Sequence, residues 1–360
     1  MTMATMNASL TNSTSYLPTS TGSSHRLGIS ILSVAFIIGF PGNAFVIWTV
    51  LTRMKKRTVT CLLILHLAMA DIMVILTAPF FLHLLATGSW TFGNIICKMC
   101  HYISCLSMYA SIFLIAFMSL DRFLAVAMPF TSQKLRTKAV VTGIVTAIWV
   151  IASLLAIPMV FYRSVRLFFI HHRHLRLCTQ NHNLYKNPAK HIIFQYMFET
   201  MMGFVIPFTV IVFCYIYIGV RLRTAKFQTK HKTSRLVIMI IVTFALFWLP
   251  YQVVNVIQVS GELYASGKLR DAAITARPNV TALAFLSSSA NPILYVFAGG
   301  NFIRTAGMGF MAKLFEGTGS ETSSFRKISQ VFRSQRSHTD SVELEKCGEH
   351  SKICSTNQID

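Results

Sequence analysis

The sequence predicts an all-α membrane protein: a bundle of seven transmembrane helices followed by a short amphipathic eighth helix. Of its 360 residues, 53% are hydrophobic and only 12% charged, a balance that belongs to chains solvated by lipid. Seven apolar stretches recur, each long enough to cross a hydrocarbon core of ~30 Å. The short segments between them hold most of the basic residues, and they hold them unevenly, as a chain with a fixed orientation in a bilayer does.

Residues 1–26 are rich in Ser, Thr and Asn and contain no apolar run able to act as a cleavable signal, so insertion is expected to begin with the first span. Two sequons, Asn7-Ala8-Ser9 and Asn12-Ser13-Thr14, suit a glycosylated extracellular tail. Within a membrane domain of residues 27–300, the spans are expected at 27–51, 59–85, 94–128, 138–162, 190–220, 235–259 and 277–299. Segment 52–58 carries Arg53, Lys55, Lys56 and Arg57, segment 129–138 carries Lys134, Arg136 and Lys138, and 221–235 carries six Lys or Arg, whereas 86–93 is uncharged. The positive-inside rule then puts the N-terminus outside and the C-terminus in the cytoplasm.

After the seventh span, residues 301–315 mix Phe302, Ile303, Phe310, Leu314 and Phe315 with Arg304 and Lys313, the pattern of a helix lying against membrane lipid at the inner interface. Residues 316–360 hold 13 Ser and Thr among charges of both signs. They read as a disordered, phosphorylatable cytoplasmic tail, an inert solubilising tail being the alternative.

The net charge of +21 arises almost wholly before residue 301, where 25 Lys and Arg face 5 acids. Because these cations are divided among short loops, no continuous phosphate-tracking face exists and nucleic acid is not an expected partner. Of the eight cysteines, only Cys97 and Cys178 fall at expected outer positions that one bridge could join; the rest read as core or tail thiols. No nucleophile, base and oxyanion set and no structural metal cluster occurs in the spans, so an enzyme is not expected.

Three acids lie within the spans, Asp71, Asp121 and Glu199. Each costs several kcal/mol, on the order of 3, unless it faces the bundle interior and finds a partner. Plain interhelical hydrogen bonding is the structural alternative to a functional role. Asp71 has Asn43, Ser111, Ser287 and Asn291 as candidate neighbours, an oxygen-rich set that suits a small hard cation such as sodium. Asp121 and Arg122 are adjacent at the inner end of the third span and cannot easily satisfy each other across a helix face, which leaves Arg122 placed to meet something arriving from the cytoplasm. Pro79, Pro158, Pro207, Pro250 and Pro292 interrupt spans and supply kinks.

The segment from Tyr162 to Lys190 carries Arg163, Arg166, Arg173, Arg176, Lys186 and Lys190 with no acid. If Cys97 bridges Cys178, this segment is pinned across the bundle mouth and, joined by His101 and by Arg277 at the start of the seventh span, makes a positive funnel that points to an anionic ligand. Tyr109 and Asn255 are expected in the apolar lining beneath, a profile matching a carboxylate on a long hydrocarbon body. A solvated loop attracted to acidic surfaces is the alternative, and His171, His172 and His174 are as readily solvated as zinc-binding.

One set of motifs, in order and one per helix, resembles the rhodopsin-like G-protein-coupled receptors: Gly42-Asn43, Leu67-Ala68-Met69-Ala70-Asp71, Asp121-Arg122-Phe123, Trp149, Phe247-Trp248-Leu249-Pro250 and Asn291-Pro292-Ile293-Leu294-Tyr295. Within them the chain is most similar to the leukotriene B4 receptors, type one more than type two. That likeness is carried by Thr77-Ala78-Pro79-Phe80-Phe81-Leu82-His83, Ser107-Met108-Tyr109-Ala110-Ser111, Ser132-Gln133-Lys134-Leu135-Arg136-Thr137-Lys138 and the tail string from Lys313 to Glu321.

The resemblance implies a plasma-membrane chemoattractant receptor of leukocytes, acting in inflammation. It implies leukotriene B4, a dihydroxy fatty acid, as ligand, a heterotrimeric G protein of the inhibitory class as partner, and arrestin on the phosphorylated tail. It implies ligand contacts at His101, Tyr109, Arg163, Glu199, Asn255 and Arg277, and no cofactor beyond an allosteric sodium ion at Asp71, Ser111, Ser287 and Asn291. Arg122 would meet the G protein, with Asp121 beside it. Trp248 would be the toggle, and Pro207, Tyr215, Pro250, Pro292 and Tyr295 the switch. Phe123 departs from the usual tyrosine. Lys230, His231 and Lys232 stand where many relatives place an acid that clasps the third-helix arginine, so appreciable basal signalling is expected. Two other classes compete: a receptor for an acidic-ended peptide, and a seven-span ion-coupled transporter, the latter disfavoured because no internal repeat is present.

Overall fold

The computed structural model describes residues 22–52, 59–170, 173–183, 185–224 and 232–297. The expected amphipathic helix at 301–315, the tail at 316–360, both sequons, and the basic residues Lys230 and His231 lie outside the described residues. Among the described residues six helical spans are long and apolar enough by themselves to cross a membrane, and a more polar helix follows them as the seventh. The first is α1 (Gly22–Thr52), the second α2 (Val59–Ile75) with α3 (Ala78–Thr87), and the third α4 (Gly93–Ala127). A short α5 (Pro129–Leu135) precedes the fourth, α6 (Lys138–Ala156) with α7 (Pro158–Tyr162). The fifth joins α8 (Pro188–Thr200) and α9 (Ile206–Thr224) through one π-helical turn at Met201–Val205, and α10 (Lys232–Leu263) and α11 (Gly267–Phe297) complete the set.

Prolines decide where the spans bend. Pro79 has no N–H to donate, so the chain before it tightens: Thr77 donates its backbone N–H to Val74 at 2.9 Å and Phe80 donates to Thr77 at 3.2 Å, both one residue short of the α pattern. Pro158 produces the same tightening between α6 and α7. Ahead of Pro207 the chain widens instead, and the π turn brings Gly203 against the third span. A Cβ there would meet Met108 Cε at 2.7 Å and Tyr109 Cε1 at 3.3 Å, so a larger residue would displace the Met108 thioether and press on the Tyr109 ring.

The third span is the hub, packing against α2, α6, α9, α10 and the first strand. Its lower half sits in the main apolar cluster with Leu63, Ile64, Ile148, Ile240 and Phe244. Between the fourth and fifth spans the basic segment folds as an antiparallel hairpin, β1 (Arg163–Ile170) with β2 (Arg173–Gln180), Val165 opposite Cys178. A disulfide joins Cys178 to Cys97 at the top of α4. Trp90 donates its backbone N–H to Arg176 O at 2.7 Å, and Asn94 Oδ1 accepts from Val165 N at 3.0 Å. The hairpin is therefore tied to the bundle mouth by covalent and backbone bonds alike, over a buried cluster of Trp90, Cys97, Cys100 and Cys178.

One boundary departs from expectation. The seventh span begins at Gly267, ten residues before 277, so Arg277 does not open the span but stands well inside α11. Hydropathy senses only the part of a helix in hydrocarbon, and here a polar first two turns, with Lys268, Arg270 and Asp271, extend beyond it.

Candidate functional site

A cavity of about 360 Å³ opens beneath the hairpin, bounded by α1, α2, α3, α4, α7, α8, α10 and α11. Its walls are mostly apolar, with Phe81, Met108, Met159 and Phe285 among them, and Trp248 lies at its base. His101, Arg163, Glu199 and Arg277 from the sequence reading all line it. Tyr109 and Asn255 do not. Tyr109 is fully buried behind Met108 and stacks on Phe113 at 6.1 Å, whereas Asn255 is buried on α10 and reaches the cavity only through its partner.

That partner is Arg277, whose Nη1 donates to Asn255 Oδ1 at 2.8 Å while its guanidinium lies 4.3 Å from the Tyr196 ring centre. The amide of Asn255 is held in turn by Gln252, which Thr200 also meets at 3.0 Å. A cation stacked on an aromatic face and held by an oriented amide is fixed in direction as well as place. Arg277 Nη2 nevertheless has no hydrogen-bond partner, nor has Arg163 Nε, and both atoms are buried.

Glu199 lies between them and is 4% exposed. Tyr251 donates its hydroxyl to Glu199 Oε1 at 2.7 Å, while Oε2 has no partner. No ion pair joins Glu199 to either arginine among the described residues. Two guanidiniums and one carboxylate around an apolar cavity leave an excess positive charge with donors to spare, an arrangement that one further carboxylate would neutralise. His101 packs edge-on against Phe81 at 5.3 Å, where its ring faces the same space.

Beneath the cavity, Asp71 is 1% exposed and accepts from Asn291 Nδ2 at 2.7 Å. Ser288, one residue past the anticipated Ser287, is buried and lines the cavity, and its backbone carbonyl accepts from Asn43 Nδ2 at 3.0 Å. Ser111 Oγ and Asn43 Oδ1 are buried without hydrogen-bond partners, and Ser287 is buried too.

At the opposite end of α4, Asp121 is held by Arg136, the residue that caps α5, through two bonds of 2.8 and 2.9 Å. Arg122 donates to Thr60 Oγ1 at 2.5 Å and lies 3.9 Å from its neighbour's carboxylate. Tyr215 packs half-buried against the main apolar cluster, and Trp248 stacks on Phe244 at 5.7 Å. Pro207 and Pro250 stand in α9 and α10, and Pro292 in α11; the side chain of Tyr295 lies outside the described residues.

The sequence reading missed Tyr251, Gln252, Arg136 and Thr60. Tyr251 had a usable signal, since it lies four residues before Asn255 on one helix face. Arg136 had none, because its role depends on α5 folding back beneath α4.

Against known families, the chain matches the profile described as 7 transmembrane receptor (rhodopsin family) over residues 42–295. It is 49% identical over 315 residues to Leukotriene B4 receptor 1 of Homo sapiens, covering 86% of this chain and 88% of that protein. The Bos taurus Leukotriene B4 receptor 1 is 47% identical over 351 residues, 95% of this chain and 98% of its own length. Leukotriene B4 receptor 2 of Homo sapiens is 38% identical over 305 residues, 82% of each chain.

Proposed function

This chain belongs to the rhodopsin family of seven-transmembrane receptors, and from that premise we propose that it binds leukotriene B4 in the cavity beneath the hairpin. It is a multi-pass membrane receptor with a G protein as partner, not an enzyme. The observation that carries the ligand assignment is that Arg163 and Arg277 both line an apolar cavity and that each guanidinium keeps a buried nitrogen without a hydrogen-bond partner. A fatty acid supplies what they lack: a carboxylate for charge-assisted bonds and a hydrocarbon body for the walls. The free oxygen of Glu199 and the ring of His101 are left to pair with hydroxyls.

The hairpin end faces outward and Arg122 faces the cytoplasm, by the distribution of loop cations. Ligand acts by differential affinity for two bundle arrangements, with Trp248 sensing the cavity floor. Arg122 then exchanges Thr60 for a G protein of the inhibitory class at the plasma membrane. Phosphorylation of the Ser- and Thr-rich tail recruits arrestin. A sodium ion fits the oxygens of Asp71, Asn291, Ser111 and Ser287, since Ser111 Oγ is buried without a partner; it would neutralise Asp71 and favour the resting arrangement.

Saturation binding of radiolabelled leukotriene B4 to membranes bearing the chain tests the assignment. Saturable binding that weakens in Arg163→Ala and Arg277→Ala is expected, and its absence from the wild type removes the ligand.

A further inference from the structure

The bond between Arg277 and Asn255 is a rung joining α10 to α11, and a second rung stands above it. Arg270 lies seven residues before Arg277, and Glu262 seven after Asn255. Seven residues are two helical turns, about 10 Å of rise, so in an antiparallel pair the second rung falls directly above the first. Arg270 Nη1 stands 3.8 Å from Glu262 Oε2 there. The Glu262 side chain is only 8% exposed, and its other oxygen accepts from Gln258 Nε2 at 3.2 Å. The helices meet closely because residue 261 is glycine: a Cβ on Gly261 would come within 2.9 Å of Arg270 Cγ and 3.0 Å of its backbone N. Neither Glu262 nor Arg270 lines the cavity.

We propose that Glu262 and Arg270 form a positioning clasp, which fixes the axial register of α11 against α10 and thereby sets where the Arg277 guanidinium stands in the cavity. The clasp rests on the reading that Arg277 meets an anion. Its effect on binding is indirect: a displacement of about 1 Å weakens a directional charge-assisted bond far more than it weakens apolar contact. Of the two partners, Glu262 is the more buried, so removing Arg270 leaves an uncompensated carboxylate and is the more disruptive change. Glu262→Gln keeps the bond to Gln258 and is milder.

The test measures leukotriene B4 and its methyl ester on the full chain in membranes, for wild type, Glu262→Gln, Arg270→Gln and the double reversal Glu262→Arg with Arg270→Glu. Each single variant is expected to weaken the acid about three- to five-fold, as for a partly exposed pair, with the ester unchanged, and the reversal to recover within about two-fold. Single variants that bind the acid like wild type overturn the clasp. So does equal loss for acid and ester, or a reversal as weak as Arg270→Gln, which makes Arg270 a charge the ligand meets directly. A wild type with no saturable binding sinks the lipid reading instead. The clasp is then decided without ligand, by hydrogen exchange across residues 262–277: faster exchange in both single variants that returns in the reversal supports it, and unchanged exchange overturns it.

Discussion

The two ends of the bundle treat their buried charges in opposite ways. Beneath the hairpin, Arg163, Arg277 and Glu199 each keep a buried polar atom without a hydrogen-bond partner. At the end marked by α5, Asp121 is clasped twice by Arg136, and Arg122 is bonded to Thr60. An unmade hydrogen bond on a buried group costs about 1–3 kcal/mol, a cost a fold retains where a ligand will repay it. The opposite end is satisfied from within, so its charges act only when that internal set is broken. One end leaves buried charged groups incomplete and waits for a small molecule; the other pairs its charges from within and must be opened.

Substitutions can break this contrast. The largest effect is expected from Arg277→Ala, which removes a buried cation at the incomplete end and should cost about 3 kcal/mol, roughly 100-fold in leukotriene B4 affinity, while Arg136→Ala leaves affinity within about two-fold. Equal losses in the two variants erase the distinction. Next, Arg136→Ala leaves Asp121 buried without its two-bond partner, and agonist-free GTP exchange on a coupled G protein should rise several-fold, on the order of 1–2 kcal/mol of lost restraint. Arg136→Lys should restore only part of the restraint, because an ammonium cannot make the paired bonds. Exchange at the level of cells lacking the receptor, in both wild type and Arg136→Ala, would remove this idea.

Smaller effects sharpen the picture at the hairpin end. Tyr251→Phe deletes the hydrogen bond that orients Glu199, and affinity should fall about five-fold, near 1 kcal/mol. The smallest concerns His182, between the hairpin and α8, whose Nε2 lies 2.7 Å from Gln195 Oε1. Burial, and then the nearby Arg163 and His191 charges, hold its imidazole below the ordinary value of 6.5 despite that bond. The unfolded chain therefore takes up a proton first as pH falls below 6.5, and stability contributed by the neutral ring is lost progressively below that pH. Thermal unfolding of the detergent-solubilised receptor should show this acid loss in wild type and less of it in His182→Gln; identical profiles would assign the loss elsewhere.

How much of this was legible in the sequence depends on what each feature rests on. Spans two to five fall where hydropathy placed them, because transfer to hydrocarbon is a local property of residues. The start of α11 was not, since a helix continues into water on hydrogen bonds that hydropathy does not sense. The hairpin was read only as a basic loop, although the alternation from Val165 to Phe169 is poor in strand polarity; its pairing needs the disulfide and the bond from Trp90 to be seen together. Among site residues, Glu199 was reachable because ionisable groups at membrane depth are rare, and Arg163, Arg277 and His101 because the segment from Tyr162 to Lys190 is basic and acid-free against the positive-inside trend. Pairings such as Asp121 with Arg136 and Arg277 with Asn255 are products of tertiary geometry, and spacing along the chain does not encode them.

Only Tyr264, Ala265 and Ser266 separate α10 from α11, with Ala265 turned to a φ of 51°. Two cylinders spliced this tightly stay together at their crest, and Pro250, the proline inside α10, is where the helix lacks a backbone donor and bends most easily. Tyr264 is 80% exposed at that crest. A dye attached there sits on both cylinders at once, which makes it the natural fixed reference for measuring whether the far end of α10 changes its distance when ligand binds.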